Sequence, residues 1–170
     1  MDVSWSGINL YIGYLLNTTK RGDGQVPLYS RKYRVYWSET DAARIVHFSN
    51  YFRYCERTEE EFLYELAGGK YNYPIEASGS EILMPRVHAE CDYEFPLFPG
   101  DTFRVDIVDV VLGNKSITYT YEIYNESKGG VKAARCSIVV VALDVKSMKG
   151  VPIPGHIREM LLNAGARIKG

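Results

Sequence analysis

An excess of charge of either sign is missing from this chain: 20 Lys and Arg stand against 21 Asp and Glu, a formal net charge of −1. That balance removes the electrostatic case for a nucleic-acid partner. Positive charge focused locally around a phosphorylated ligand remains compatible with it. Membrane-length hydrophobic runs are missing too. The apolar run at residues 8–16, INLYIGYLL, falls short of the ~20 residues a membrane span needs. No basic stretch precedes it and no small-x-small cleavage site follows, so it does not read as a signal peptide. A short packed element, or an arm docking on a partner subunit, is the plain reading.

Cysteine is scarce. Cys55, Cys91 and Cys136 are odd in number, far apart and without a CxxC pair. The expectation is free, mostly buried thiols in a reducing, cytoplasmic setting, with Cys55 an inert helix-face residue rather than a nucleophile. The three histidines, His47, His88 and His156, have no ligand spacing such as HExxH. The sequence therefore calls for neither a metal nor a cofactor. No internal repeat or low-complexity tract stands out.

What is present suits one domain with a sizeable core at 170 residues. Residues 17–30 are polar and rich in turn formers, which reads as a linker. Tyr33, Val35 and Trp37 alternate with Lys32, Arg34 and Tyr36, so a strand is expected over residues 32–37. A helix should follow from an N-cap at Ser49. Tyr51, Cys55, Phe62 and Leu66 recur at steps of four, seven and four, and Phe52 and Leu63 widen that stripe. Gly68 and Gly69 supply its stop, giving a helix of about 17 residues and ~25 Å. Residues 70–80 read as a loop.

Strands are then expected over residues 81–95, at an edge or bulge because of Pro85, and from Phe103. Another has Ile117, Tyr119, Tyr121 and Ile123 on one face. Residues 125–130 form a hairpin turn, the apolar residues 133–145 a central strand, and residues 156–166 a closing helix. One long helix with a run of antiparallel strands predicts an α+β domain of hot-dog layout, the long central helix wrapped by a curved sheet.

The chemistry gathers between that first strand and the helix. Asp41 precedes a helix start whose unpaired N–H groups stabilise negative charge. A carboxylate so placed can act as nucleophile or general base. The competing reading is that Asp41 merely bonds nearby backbone N–H groups. His47 serves equally as a pocket-lining residue or a proton-transfer group. Glu56 reads as a structural partner for an arginine, and Glu59, Glu60 and Glu61 as a solvated helix face. Arg86, Arg104 and Lys115 could meet phosphates, with surface solvation as their default.

The segment V-Y-W-S-E-T-D-A-A-R-I-V-H-F-S-N-Y-F-R-Y-C-E-R resembles the signature of the 4-hydroxybenzoyl-CoA thioesterase family of hot-dog acyl-CoA thioesterases. The resemblance runs over residues 31–162, through Tyr93, Pro96, Gly100-Asp101, Lys115-Ser116 and Pro152-Ile153-Pro154. It implies an acyl-CoA substrate, Asp41 as the catalytic carboxylate, and Phe48 as the residue whose backbone N–H polarises the thioester carbonyl. Asn50 and Tyr51 match the pair that shapes the pocket, and His47 sits where related sequences carry an aromatic residue. Arg44 departs from the pattern, standing where the family usually has glycine. It implies either a differently shaped turn or a cation near the ligand.

The domain expectation is an arm and linker over residues 1–30 and a hot-dog thioesterase domain over residues 31–170. The resemblance also implies edge-to-edge pairing, with sites between subunits, hence a homodimer or a homotetramer built from two. A non-catalytic acyl-CoA-binding protein, a sensor or structural subunit, is the second reading. A hot-dog dehydratase would need a paired acidic residue and histidine in a hydratase motif, which the sequence does not supply.

Overall fold

A computed structural model describes residues 26–70, 75–77 and 79–170. The strands are β1 (Tyr29–Arg34), β2 (Ile75–Ala77), β3 (Ser80–Leu83), β4 (Arg86–Tyr93), β5 (Thr102–Leu112), β6 (Ser116–Asn125) and β7 (Val131–Val141). Short pieces β8 (Leu143–Asp144), β9 (Lys149–Gly150) and β10 (Arg167–Ile168) complete the set, and the helices are α1 (Asn50–Leu66) and α2 (Gly155–Asn163). The main sheet runs β1-β5-β6-β7-β4, all antiparallel, with β10 added parallel to the far end of β5. β2, β3, β8 and β9 form a second, smaller sheet. This is the expected α+β hot-dog fold.

α1 is the helix the apolar stripe foretold, 17 residues long and ending before Gly68, whose φ of 68° allows the chain to leave it. Tyr51, Tyr54, Cys55 and Phe62 are buried against β1, β4, β5 and β7. Each such large side chain stabilises the fold by roughly 1.5–3 kcal/mol. From the sheet, Phe103, Val105 and Ile107 of β5 and Ile117, Tyr119, Tyr121 and Ile123 of β6 supply the facing layer, all fully buried.

Several elements differ from the sequence reading. β1 begins at Tyr29 and ends at Arg34, and a 3-10 turn follows at Trp37–Glu39. Trp37 is thereby 84% exposed instead of continuing the strand's inward face. The expected loop at 70–80 contains β2, paired with β3. The single strand expected over 81–95 is two, because Pro85 has no N–H to continue a ladder: β3 lies in the small sheet and β4 at the edge of the main one. β7 is interior as expected, but only its inner face is fully covered, and Arg135 on the other face is exposed. Readings that fell on residues 1–25, 71–74 and 78 lie outside the described residues.

Two charge assignments change as well. Arg104 and Asp106 on the outer face of β5 are buried and joined, Nε to Oδ1 at 2.9 Å, while Arg104 Nη1 reaches Glu126 at 2.7 Å and Ser30 Oγ donates to Asp106 at 2.6 Å. Surface solvation, the default for Arg104, is therefore wrong. Cys91 and Cys136 are directly opposite on β4 and β7 and are joined in a disulfide. The expectation of free thiols holds only for Cys55, which is buried in the core. Among the described residues no helix is long and apolar enough to cross a membrane.

Candidate active site

The segment between β1 and α1 is shaped by a short chain of backbone bonds. Asp41 N–H donates to the Ile45 carbonyl at 3.1 Å, Arg44 N–H returns to the Asp41 carbonyl at 2.9 Å, and Thr40 and Val46 form an isolated bridge. Val46 N–H is anchored on Leu97 and His47 N–H on Glu39, both at 2.9 Å. Asn50 Nδ2 also donates to the Glu39 carbonyl, at 2.7 Å. Asn50 thus ties the first turn of α1 to the loop that carries Asp41.

Asp41 itself is exposed. Its Oδ1 accepts the Ala43 N–H at 2.8 Å, so the turn-capping reading is realised in part. A carboxylate has two oxygens and about four lone-pair sites, and one such bond leaves ample capacity for chemistry.

Arg44 sits at φ 62°, the left-handed conformation a glycine would take there. For arginine that conformation carries a backbone cost of about 1–2 kcal/mol. Arg44→Gly is expected to raise stability by about 1 kcal/mol, less what glycine adds in unfolded-state freedom, when read by urea unfolding. A loss of stability would mean the guanidinium makes contacts that outweigh the backbone strain.

The helix start is open. Phe48 N–H donates to nothing among the described residues, and Phe48 is 61% exposed. The expected Ser49 side-chain cap is not made. Ser49 Oγ bonds instead to His47 Nδ1 at 2.8 Å, and the His47 ring stacks on Phe48 with centroids 4.3 Å apart. On the far side Tyr93 of β4 donates its hydroxyl to the Phe48 carbonyl at 3.1 Å. Tyr93 also packs edge-on against Tyr51, at 5.0 Å and 83°. Burial pushes the Tyr51 hydroxyl up to about 12. Asp41, Arg44, His47, Phe48, Asn50 and Tyr51 thus lie on the segment between β1 and the first turn of α1. Tyr93, pinning Phe48 from the edge strand, is the addition.

Elsewhere, Glu56 meets Arg86 at 3.3 Å, the arginine partnership expected of it. Lys115 Nζ is spent on the Gly150 carbonyl at 2.6 Å. Glu59 is not on a solvated face: it is 5% exposed, takes bonds from Tyr121 and Arg86, and burial raises its carboxyl above the usual range. The signal was its place four residues after Cys55 and three before Phe62, on the inward stripe.

An antiparallel sheet wrapped around one long helix is a hot-dog domain, and the start of that helix holds an exposed carboxylate nearby and an N–H without a partner among the described residues. The family model of the Thioesterase-like superfamily matches residues 35–161, and the chain belongs to that family. It is 29% identical over 129 residues to a 1,4-dihydroxy-2-naphthoyl-CoA hydrolase of Trichodesmium erythraeum, covering 76% of this chain and 91% of that one. A putative esterase of Aquifex aeolicus is 36% identical over 128 residues, covering 75% and 93%. Among solved structures, a 1,4-dihydroxy-2-naphthoyl-CoA thioesterase from Synechocystis superposes with a TM-score of 0.70 at 22% identity, over 79% of this chain and 96% of that one. The protein is a thioester hydrolase.

Proposed function

We propose that this protein hydrolyses acyl-CoA thioesters to the free acid and CoA, with Asp41 as the working carboxylate. The observation that carries the reading is an exposed Asp41 carboxylate on the loop that Asn50 ties to the start of α1, where the Phe48 N–H has no partner among the described residues. The carbonyl oxygen gains negative charge as the thioester is attacked, and a free helix N-terminal N–H is a preorganised donor for it. Asp41 either attacks the carbonyl carbon or takes a proton from water. His47, held by Ser49, lies beside the donor, Asn50 and Tyr51 shape the pocket, and Arg44 offers its cation to the ligand.

Kinship with the 4-hydroxybenzoyl-CoA thioesterases within the superfamily belongs to this reading, carried by the pattern over residues 35–57. So does an aromatic acyl group, since two of the similar proteins are named for 1,4-dihydroxy-2-naphthoyl-CoA. β1 begins at Tyr29 and is paired with β5 from that residue on, so the domain takes in residues 29 and 30 ahead of the boundary expected at 31, and the arm and linker are the residues before it. The cytoplasm is its compartment, with the Cys91–Cys136 bridge the one feature pointing elsewhere. The alternative of a non-catalytic binder drew its support from Arg44 having displaced the working turn. Arg44 at φ 62° adopts a conformation that glycine also takes, which counts against that displacement.

β4 argues for assembly. Among the described residues it pairs only with β7, and its residues are mostly exposed on both faces. An eight-residue unpaired edge is a surface proteins cover. A homodimer joined along β4, or a tetramer of two such dimers, is the expected state. Sedimentation at micromolar concentration should give twice or four times the 19.3 kDa chain mass, and a stable monomer would reject it. Thiol release from a panel of aryl and aliphatic acyl-CoAs tests the activity, and a wild-type protein that cleaves none of them ends the proposal.

A further inference from the structure

A cavity of about 250 Å³ lies between the second half of α1, the inner face of the sheet and α2, with Leu63, Met84, Val140 and Met160 among its apolar walls. An engineered apolar cavity of ~150 Å³ holds benzene, so this space suits a two-ring acyl group. Of the charged residues that line it, Glu56, Glu60, Lys70 and Arg86 are exposed and Glu59 is buried. Both of the Glu59 hydrogen bonds, from Tyr121 Oη at 3.1 Å and Arg86 Nη2 at 3.3 Å, go to Oε2. Oε1 accepts none among the described residues, and it is not among the sealed, partnerless buried atoms. A costly buried carboxylate thus has one oxygen with open acceptor capacity in a cavity that is otherwise mostly hydrocarbon.

Glu59 lies nine residues beyond Asn50 on α1, roughly 13 Å from the helix start at 1.5 Å per residue. That is too far for a two-ring acyl group whose carbonyl sits on the same chain's Phe48 N–H. β4 resolves the distance. It runs antiparallel to α1, with Tyr93 at Phe48 and Arg86 at Glu56 and Glu59. Pairing of β4 with the same strand of a second copy, about a twofold near its centre, sets Arg86 of one chain opposite Tyr93 of the other. Each cavity mouth then opens beside the other chain's helix start.

We propose that Glu59 is a specificity-determining residue: the cavity receives a ring-sized acyl group presented to the Asp41 of a second copy, and Glu59 Oε1 accepts a hydrogen bond from a hydroxyl on that group. The inference rests on the thioesterase reading and adds to it the location and the polar feature of the acyl group. A hydrogen bond to a charged acceptor discriminates by about 10- to 100-fold.

The test is kcat/KM for 2-naphthoyl-CoA, a series of hydroxylated 2-naphthoyl-CoAs and acetyl-CoA. Wild type should favour a hydroxylated naphthoyl ester over the unsubstituted one by about 10-fold or more, and Glu59→Gln should shrink that ratio by at least about fivefold. Should Glu59→Gln fail to fold, Val140→Phe fills the cavity instead. It should depress both naphthoyl classes about 100-fold more than acetyl-CoA. Mixed dimers of Asp41→Ala and Val140→Phe chains should recover up to about a quarter of wild-type naphthoyl-CoA turnover, since half the dimers are mixed and each has one intact site.

Turnover without any hydroxyl preference, a ratio untouched by Glu59→Gln, or no recovery in mixed dimers overturns this assignment and leaves the thioesterase standing. Failure of every thioester to turn over removes both.

Discussion

Asp41→Ala is expected to lower kcat for thioester hydrolysis by about 10³-fold, with KM little changed. In the proposed role the carboxylate acts on the carbonyl carbon or its water and does not hold the coenzyme, so the loss belongs to the transition state. Asp41 has a second task, however, because its Oδ1 accepts the Ala43 N–H at 2.8 Å and shapes the turn. Asp41→Asn separates the two. An amide oxygen can still accept from Ala43, but it is neither a useful base nor a nucleophile. If the carboxylate does chemistry, Asn is as inactive as Ala while its melting curve matches wild type. If the turn is all that matters, Asn restores activity and Ala loses about 1 kcal/mol of stability. Single-turnover kinetics beside a urea melt of each variant would decide it.

Asp106→Ala carries the largest expected stability loss, about 3 kcal/mol. Asp106 is fully buried, and its removal takes away the carboxylate that Arg104 Nε and the Ser30 hydroxyl both bond. The Glu126 contact to Arg104 persists and keeps the loss near the lower end for a broken buried pair. Burial, the largest influence, raises the Asp106 carboxyl above its ordinary value, against the lowering effects of Ser30 and Arg104. For an acid raised in the folded state, the associated stability is complete below the unfolded value and is lost as pH rises through the folded one. Wild type should therefore gain on Asp106→Asn as pH falls from 7 toward 4. Paired urea melts across that window check the sign, and a gain with rising pH would mean that the arginine dominates the burial.

The parts legible in the sequence were those in which periodicity and burial agree. α1 follows its stripe to the residue, and β6 alternates as read, because each has one buried face. β1 shifted because the alternation of Tyr33, Val35 and Trp37 continues past the end of sheet pairing, where Val35 still enters the core and Trp37 does not. Glu59 was hidden inside a run of three glutamates, although its angular position placed it inward. Arg104 and Asp106 alternate correctly for an outer face, and nothing local announces that such a face will be covered.

The cysteine pair could not be read at all, since it depends on the register that sets Cys91 opposite Cys136. Within the candidate site, the resemblance supplied Asp41, Phe48 and Asn50. Tyr93, more than forty residues away, entered the resemblance without a role, and its bond to Phe48 became visible only when β4 reached the helix start.

The bare edge of β4 also has a kinetic consequence. Tyr93, which steadies Phe48, stands at one end of that edge, and Arg86, at the cavity mouth, stands at the other. If two copies complete each other there, the working enzyme is a species governed by mass action. Specific activity should then be constant in concentrated solution and fall in proportion to protein once dilution passes the subunit dissociation constant, with a slow return on reconcentration.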